Sequence, residues 1–319
     1  MALQDPPSAS KCVVITGASG LLGRAVSQTF SAAGWRTVGL AFSRAHLHPN
    51  LVKLDITDKV AFENLIQREK PDVIVHCAAE KDPDAAANKP EETKRLNVDA
   101  TRDLAECARR HGVFLIYIST DYVFDGESPP YKEDAVPHPL NKYGESKLAG
   151  EQAVLEVNPD GAAVLRISVL YGAVEKLSES AITVLFEKVQ DPSKPAVISN
   201  YERRYPTHAK DIAAGILVLA EARLKSDAVK GIYHHSTAEC LTKYEMVRQM
   251  AAVLGPSWTL NHIKADSEKP TSGAARPFDA QLSCERLQQL GAPPCVSFAD
   301  GIREVLLPFA RSQLTGFFC

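Results

Sequence analysis

The stretch "KCVVITGASGLLGRAV", residues 11–26, constrains the fold more than any other part of this chain. An apolar, β-branched run stops at Gly17, and helical spacing begins at once around Gly20 and Gly23. Such a run reads as a buried parallel strand, and "LLGRAVSQTFSAAGW" as the helix it feeds, closed at Gly34. Glycines at this kind of turn let the backbone approach a pyrophosphate, whose charge rests on the helix N-terminus. The spacing alone would suit any tight turn. Set between a strand and a helix near the start of a fold, it predicts dinucleotide binding.

The rest of the chain keeps the rhythm. "TVGLAF", "LVKLDI", "DVIVHCAA", "FLIYIST" and "AAVLRIS" read as further strands. Between them "VAFENLIQREKP", the long "EETKRLNVDATRDLAECARRHG" and "NKYGESKLAGEQAVLEVN" read as helices. Alternating strands and helices predict an α/β fold, a doubly wound parallel Rossmann sheet. The rhythm breaks after residue 170. "AITVLFEKVQ" reads as helix, 191–206 as proline-rich loop, "HAKDIAAGILVLAEARL" as helix and "GIYHHST" as a short strand able to rejoin the sheet. "KYEMVRQMAAVLG" is helical again, and short helices are expected beyond 255. The expected division is a Rossmann domain at 11–170 with 207–236 returning to it. A smaller interleaved C-terminal substrate or lid domain takes 171–206 and 237–319.

Charge and composition exclude several functions. The 319 residues are 45% hydrophobic and 24% charged with a net charge of −3, so no basic field invites nucleic acid or anionic membrane. No apolar run approaches the roughly 20 residues of a membrane span. The opening "MALQDPPSAS" lacks the features of a signal peptide. The 7 scattered cysteines form no CxxC pair, so they read as reduced thiols in a cytoplasmic protein. His208, His234 and His235 have no companion acids at ligand spacing; no metal is expected, and they read as element-start or strand residues with satisfied hydrogen bonds. Asn97 reads as an organiser of local backbone or water.

The end of the second strand bears on the choice of dinucleotide. An acid there would bind the ribose 2′-hydroxyl of NAD; "AFSRAH" offers Ser43 and Arg44 instead. A guanidinium pairs bidentately with a 2′-phosphate, which favours NADP(H), although a solvated surface arginine would look the same in sequence. Asp55 in "LDITD" can accept from an adenine amino group or cap the next helix, a role open also to Thr57 and Asp58.

Tyr143 and Lys147, at i and i+4, share one helix face. A nearby ammonium is expected to lower the tyrosine pKa, fitting the hydroxyl to hand a proton to a carbonyl oxygen as hydride arrives at carbon. Ser119 and Thr120 at the C-terminal end of the fifth strand stand where ligands bind in open α/β sheets, and a hydroxyl there can hold the same oxygen.

This combination of glycine turn, strand-end Ser/Thr and downstream Y-x-x-x-K resembles the extended short-chain dehydrogenase/reductases along nearly the whole chain. "ISTDYVFDGESPPYKEDAVPHPLNKYGESKLAGE" is similar to the dTDP-4-dehydrorhamnose reductase group. The resemblance implies that Thr120, Tyr143 and Lys147 form the catalytic set, and that Tyr122 lines a substrate-like pocket. Arg276 and Pro277 of "RPFDAQLSCERL" match the family's substrate-domain motif. It implies a nucleotide pocket drawn from Gly17, Ser19, Gly20, Leu21, Leu22, Gly23, Phe42, Ser43, Arg44, Asp55, Ile56, Cys77, Ala78, Lys81 and Leu170, with Tyr143 and Lys147 against the cofactor ribose.

A branch of this family, the regulatory β subunits of methionine adenosyltransferase, is matched by "VIVHCAAEKDPD", "LYGAVEKLSESAITVLFEKVQ", "RYPTHAKDIA" and "TKYEM". That resemblance implies a subunit that binds a methionine adenosyltransferase catalytic subunit and modulates S-adenosylmethionine synthesis. Glu80, Lys81 and Asp82 stand where the reductases carry small and hydroxyl residues, which counts against sugar-nucleotide reduction unless the loop faces solvent. The last residues include Phe317, Phe318 and Cys319. Aromatics there either fold back onto the lid or insert into a partner, and the resemblance favours the second for Phe317 and Phe318.

Overall fold

The structure, a computed structural model of the chain, describes residues 10–315. The first strand, β1 (Cys12–Thr16), is buried along its whole length. Then follow α1 (Leu21–Ala32), β2 (Arg36–Ala41), β3 (Val52–Lys53), α2 (Lys59–Glu69), β4 (Val73–His76), α3 (Pro83–Asn88), α4 (Pro90–Lys94), α5 (Ala100–His111), β5 (Phe114–Thr120), α6 (Lys142–Val157) and β6 (Ala162–Ile167). After them come β7 (Leu170–Tyr171), α7 (Phe186–Gln190), β8 (Ala196–Ser199), β9 (Thr207–His208), α8 (Ala209–Arg223), β10 (Gly231–His235), α9 (Lys243–Leu254), β11 (Ile263–Asp266), α10 (Glu285–Gln288) and α11 (Phe298–Thr315).

Seven strands form one parallel sheet in the order β10-β6-β5-β4-β1-β2-β3, the doubly wound arrangement expected. Its apolar strands alternate between two cores. Val13, Ile15, Val73, Val75 and Ile116 pack under α1 and α8 with Phe30, Ile212 and Ile216. Val14, Ile74, Leu115 and Val164 pack under α2, α5 and α6 with Phe62, Leu104 and Val154. The "GIYHHST" strand does rejoin the sheet, pairing Gly231–His235 with 163–167 of β6. A third apolar cluster joins α7, α9 and α11 through Phe186, Met246, Met250, Phe298, Ile302 and Leu306.

The local sequence explains where several elements start. Asp58 caps α2 by accepting from the Ala61 amide at 3.0 Å, Asp82 caps α3 ahead of Pro83, and Asn141 caps α6 through the Gly144 amide at 2.9 Å. Thr242 and Glu245 close a reciprocal capping box on α9.

Four expectations need correction. The third strand shrinks to Val52 and Lys53, because it lies at the sheet edge and pairs only with β2; the last bond to β2 is from the Leu54 amide to the Ala41 carbonyl at 2.9 Å, and Leu54 and Ile56 fill the core. The long helix is interrupted by a π-helical turn at Arg95–Asp99, which carries the buried Asn97. The loop 191–206 contains β8, whose parallel partner β11 lies more than sixty residues away and leaves no local signal. The region beyond 255 ends in the 18-residue α11, whose apolar spacing survives Pro308.

Candidate functional site

The C-terminal ends of β1, β2, β4 and β5 meet the N-terminus of α1 on one edge of the sheet. Gly17 adopts φ +66°, a left-handed conformation that glycine takes without penalty. A Cβ on it would stand 2.9 Å from the Ala78 amide nitrogen, and one on Gly23 would stand 2.3 Å from the Gly17 carbonyl oxygen. Bare backbone therefore forms the turn, closed by the Gly20 amide on the Gly17 carbonyl at 2.9 Å. This is a cradle that side chains would fill, and it fits a pyrophosphate.

Around the cradle, Ser19 and Leu22 are nearly buried and Leu21 packs on the core below. Phe42 and Ser43 are exposed at the end of β2. Asp55 accepts from the Thr57 amide at 2.9 Å and the Thr57 hydroxyl at 2.8 Å, leaving the capping of α2 to Asp58. Ile56 is buried, Cys77 and Ala78 line the end of β4, and Leu170 is half-buried in β7. Burial pushes the Cys77 thiol up to about 12.

The face of α6 that carries Tyr143 and Lys147 comes close to β5. At Gly150 an added Cβ would lie 2.3 Å from the Tyr117 hydroxyl and 2.7 Å from the Asn97 carbonyl, so only glycine lets the helix approach this far. Asn97 accepts from the Glu80 amide at 2.8 Å and donates to the Glu80 carbonyl at 2.9 Å and Ser146 Oγ at 3.0 Å. It organises backbone, as the sequence implied.

Tyr143 meets Tyr122 edge to face, with ring centroids 6.0 Å apart. Desolvation raises the Tyr143 pKa above its ordinary value against the opposing pull of a hydrogen bond with Thr120. The expected lowering by Lys147 is thus overturned in this structure: loss of water outweighs everything else acting on the phenol. Lys147 is 3% exposed with its ammonium 4.1 Å from the centre of the Tyr117 ring, and burial brings its pKa down to about 7. Thr120 Oγ1 accepts from the Tyr122 amide at 3.2 Å and donates to Asp121, whose burial lifts its carboxyl to about 6. Ser119 is turned away, donating to the buried Glu151 at 2.5 Å, so it does not share the role of Thr120.

Other predicted residues find local employment. Asp82 is spent on its helix cap, and Glu80 accepts from the Asp82 amide at 2.9 Å. Lys81 donates to the Glu179 carbonyl at 2.7 Å. Arg276 reaches Asp84 at 3.1 Å, and Pro277 is buried, its carbonyl accepting from Arg204 at 2.9 Å. His208 caps α8 through the Lys210 amide, His234 faces the Ser283 carbonyl at 3.2 Å, and His235 faces the Asp211 carbonyl at 3.0 Å. Phe317, Phe318 and Cys319 lie outside the described residues.

Sequence reasoning missed three participants, Arg24, Glu179 and Arg204. Arg24, one residue past the last glycine, donates to the Ser19 carbonyl at 2.7 Å and to Glu179 at 2.7 Å. Arg44 also engages the Glu179 carboxylate and the Ser19 carbonyl. Arg204 lies over the Tyr122 ring at 5.8 Å. The arginine after the glycine turn was visible as a signal; nothing local marks Glu179. The fold also gathers Glu63, Cys107 and His111, whose ligand atoms lie within 4.8 Å of one another. There Arg110 holds the Glu63 carboxylate at 2.7 Å. The six cysteines among the described residues are all unpaired. Among those residues no helix is long and apolar enough to cross a membrane.

The parallel sheet, glycine cradle and Tyr-Lys helix define a Rossmann protein of the extended short-chain dehydrogenase/reductase class, and residues 11–311 match the family described as RmlD substrate binding domain. The chain belongs to this family and, within it, to the group of methionine adenosyltransferase 2 β subunits. It is 50% identical over 297 residues to Methionine adenosyltransferase 2 subunit beta of Xenopus tropicalis, covering 93% of this chain and 87% of that protein. The subunit of the same name from Mus musculus is 49% identical over 301 residues, covering 94% and 88%. A dTDP-4-dehydrorhamnose reductase from Bacillus anthracis, solved in complex with NADP, superposes with a TM-score of 0.80 at 26% identity, covering 95% of this chain and all of that one.

Proposed function

We propose that the chain is an NADP(H)-binding regulatory subunit that binds the catalytic subunit of methionine adenosyltransferase and modulates S-adenosylmethionine synthesis. The observation that carries this reading is identity near one half to proteins named as β subunits of that enzyme, sustained over more than nine-tenths of the chain. The glycine cradle would hold the pyrophosphate, Arg44 the 2′-phosphate and Asp55 the adenine edge, with Tyr143 and Lys147 against the ribose. NADP(H) in place of NAD(H) is supported by Ser43 and Arg44 at the end of β2, where no acid stands to meet a 2′-hydroxyl. Phe317 and Phe318 would enter the partner.

The test mixes the full chain with a methionine adenosyltransferase catalytic subunit and follows co-elution and S-adenosylmethionine formation. Complex formation with altered synthesis is expected. Truncation after Arg311 is expected to abolish the complex and leave NADPH binding intact.

A second reading, reduction of a 4-keto sugar nucleotide, is favoured by one observation: Thr120, Tyr143 and Lys147 are all retained around one strand end. A bound nicotinamide would supply hydride, and Tyr143 is the group placed to hold a proton for the carbonyl oxygen. Brisk NADPH oxidation with dTDP-4-keto-6-deoxysugar and no complex would reverse the order of the two.

A further inference from the structure

The two arginines nearest the glycine cradle are already occupied by an anion from the chain itself. The Glu179 carboxylate is 6% exposed and accepts from Arg24 at 2.7 Å, from the Glu175 amide at 3.0 Å and from Arg44. Both guanidiniums also donate to the same Ser19 carbonyl of the turn. Arg24 further holds the Ala173 carbonyl at 3.0 Å, and Lys81 holds the Glu179 carbonyl at 2.7 Å. Burial alone would raise the Glu179 carboxyl, yet the two arginines outweigh it and hold it down at about 2, so it stays ionised throughout the physiological range.

From this geometry we infer that Glu179 is an internal stand-in for the cofactor's 2′-phosphate, occupying the Arg24–Arg44 socket until NADP(H) displaces it, and so sets how strongly the protein prefers NADP(H) to NAD(H). The inference rests on the proposed NADP(H) reading of the pocket and adds Arg24 and Glu179 to it.

The charges decide the direction. Two guanidiniums face two carboxylates, Glu179 in direct contact and Glu175 at 3.9 Å from Arg24 and 3.8 Å from Arg44, so the arginines are already balanced by the chain's own acids. A phosphate monoester brings about −1.5 to −2 near pH 7. Both anions compete for the same planar donors, and a carboxylate left in place would repel the phosphate across a few ångströms of poorly solvated space. Binding a 2′-phosphate therefore includes the cost of releasing Glu179, whereas binding NADH, with a neutral 2′-hydroxyl, does not. Since Glu179 also anchors the segment from Ala173 through the Arg24 and Lys81 contacts, its release loosens that segment.

Titration of the full chain with NADPH and NADH, before and after Glu179→Gln, tests this. The variant removes the competing charge with little change of shape. NADPH is expected to bind about fivefold tighter or more, with NADH changed by less than twofold, since only the 2′-phosphate gains from the vacated arginines. Unchanged or weaker NADPH binding, or equal tightening of both nucleotides, overturns the inference.

Glu179→Asp, which keeps the charge but retracts it by one methylene, is expected to shift the ratio in the same direction by a smaller factor. It serves if the glutamine variant does not fold. Hydrogen exchange on the wild type gives an independent reading. Amides of 173–182 are expected to exchange faster with NADPH and not with NADH, and protection by NADPH overturns displacement. A wild-type chain that binds neither nucleotide overturns the NADP(H) reading itself, and this inference with it.

Discussion

The Lys147 ammonium rests 4.1 Å from the centre of the Tyr117 ring, buried against a sheet strand with its pKa brought down to about 7. Desolvation lowers it, and the Glu151 carboxylate only partly restores it. Between about pH 7 and 10.5 the unfolded chain carries a proton here that the folded chain has released, so this group makes stability rise with pH across that window. Below 7 both states hold the proton and the contribution is flat. The Lys147→Met variant is expected to be more stable than wild type at pH 7, with the gap closing by roughly 3 kcal/mol toward pH 9.5. Denaturant melts at the two pH values check this; a gap that ignores pH contradicts it.

The glycine cradle gives a prediction with its own control. At Gly23 an added methyl would meet the Gly17 carbonyl oxygen at 2.3 Å and the Ala18 Cα at 2.7 Å, both backbone atoms that cannot yield cheaply. Gly23→Ala is expected to cost about 1–3 kcal/mol and to weaken nucleotide binding, because the turn itself must shift. At Gly34, where φ is +81° and a Cβ would meet nothing within 4 Å, alanine costs about 1–2 kcal/mol of left-handed strain. Gly34→Ala should therefore lower the melting temperature and leave nucleotide affinity alone. Equal losses of affinity in both variants would detach the cradle from binding.

These residues also show what sequence can and cannot reveal. The Rossmann half was legible because its signals are local: β-branched runs ending at Gly17, a glycine spacing that takes its meaning from the strand before it and the helix after it, and Asp58 able to cap α2. Histidines without companion acids read correctly as His208, His234 and His235 in satisfied positions. What escaped depends on partners distant in sequence. Strand β8 exists because β11 lies beside it. Ser119 faces Glu151 because α6 crosses β5 at that height. Glu179 reaches Arg24 across 155 positions, and no pattern near "KLSES" announces it. The Tyr143 shift went astray for a related reason, since i, i+4 spacing states proximity to Lys147 and says nothing about how little water surrounds the phenol.

The Glu151–Arg166 pair is buried to the same degree on both sides, each side chain 2% exposed and joined at 2.7 Å. Glu151 also takes the Ser119 hydroxyl and a second guanidinium contact at 2.9 Å. Breaking such a pair leaves an uncompensated charge in the core. Glu151→Leu and Arg166→Met are each expected to cost about 3–5 kcal/mol, whereas the double variant carrying both is expected to cost less than either single change. Chemical denaturation of the four proteins closes the cycle, and simple additivity would show that the two charges do not depend on each other.

Tyr143→Phe separates the two functional readings at a single oxygen. The substitution keeps the ring packed edge to face on Tyr122 and removes only the buried hydroxyl beside Thr120, a loss of about 1 kcal/mol. A regulatory subunit needs the shape of the pocket and not the proton, so complex formation with the catalytic subunit and its effect on S-adenosylmethionine synthesis are expected to persist unchanged. A reductase needs that proton at the carbonyl oxygen, so any NADPH oxidation with a 4-keto sugar nucleotide is expected to fall by about 100-fold or more. Assaying both activities on the same preparation decides the matter: loss of regulation together with retained nucleotide binding would make the hydroxyl part of the regulatory signal and refute the division drawn here.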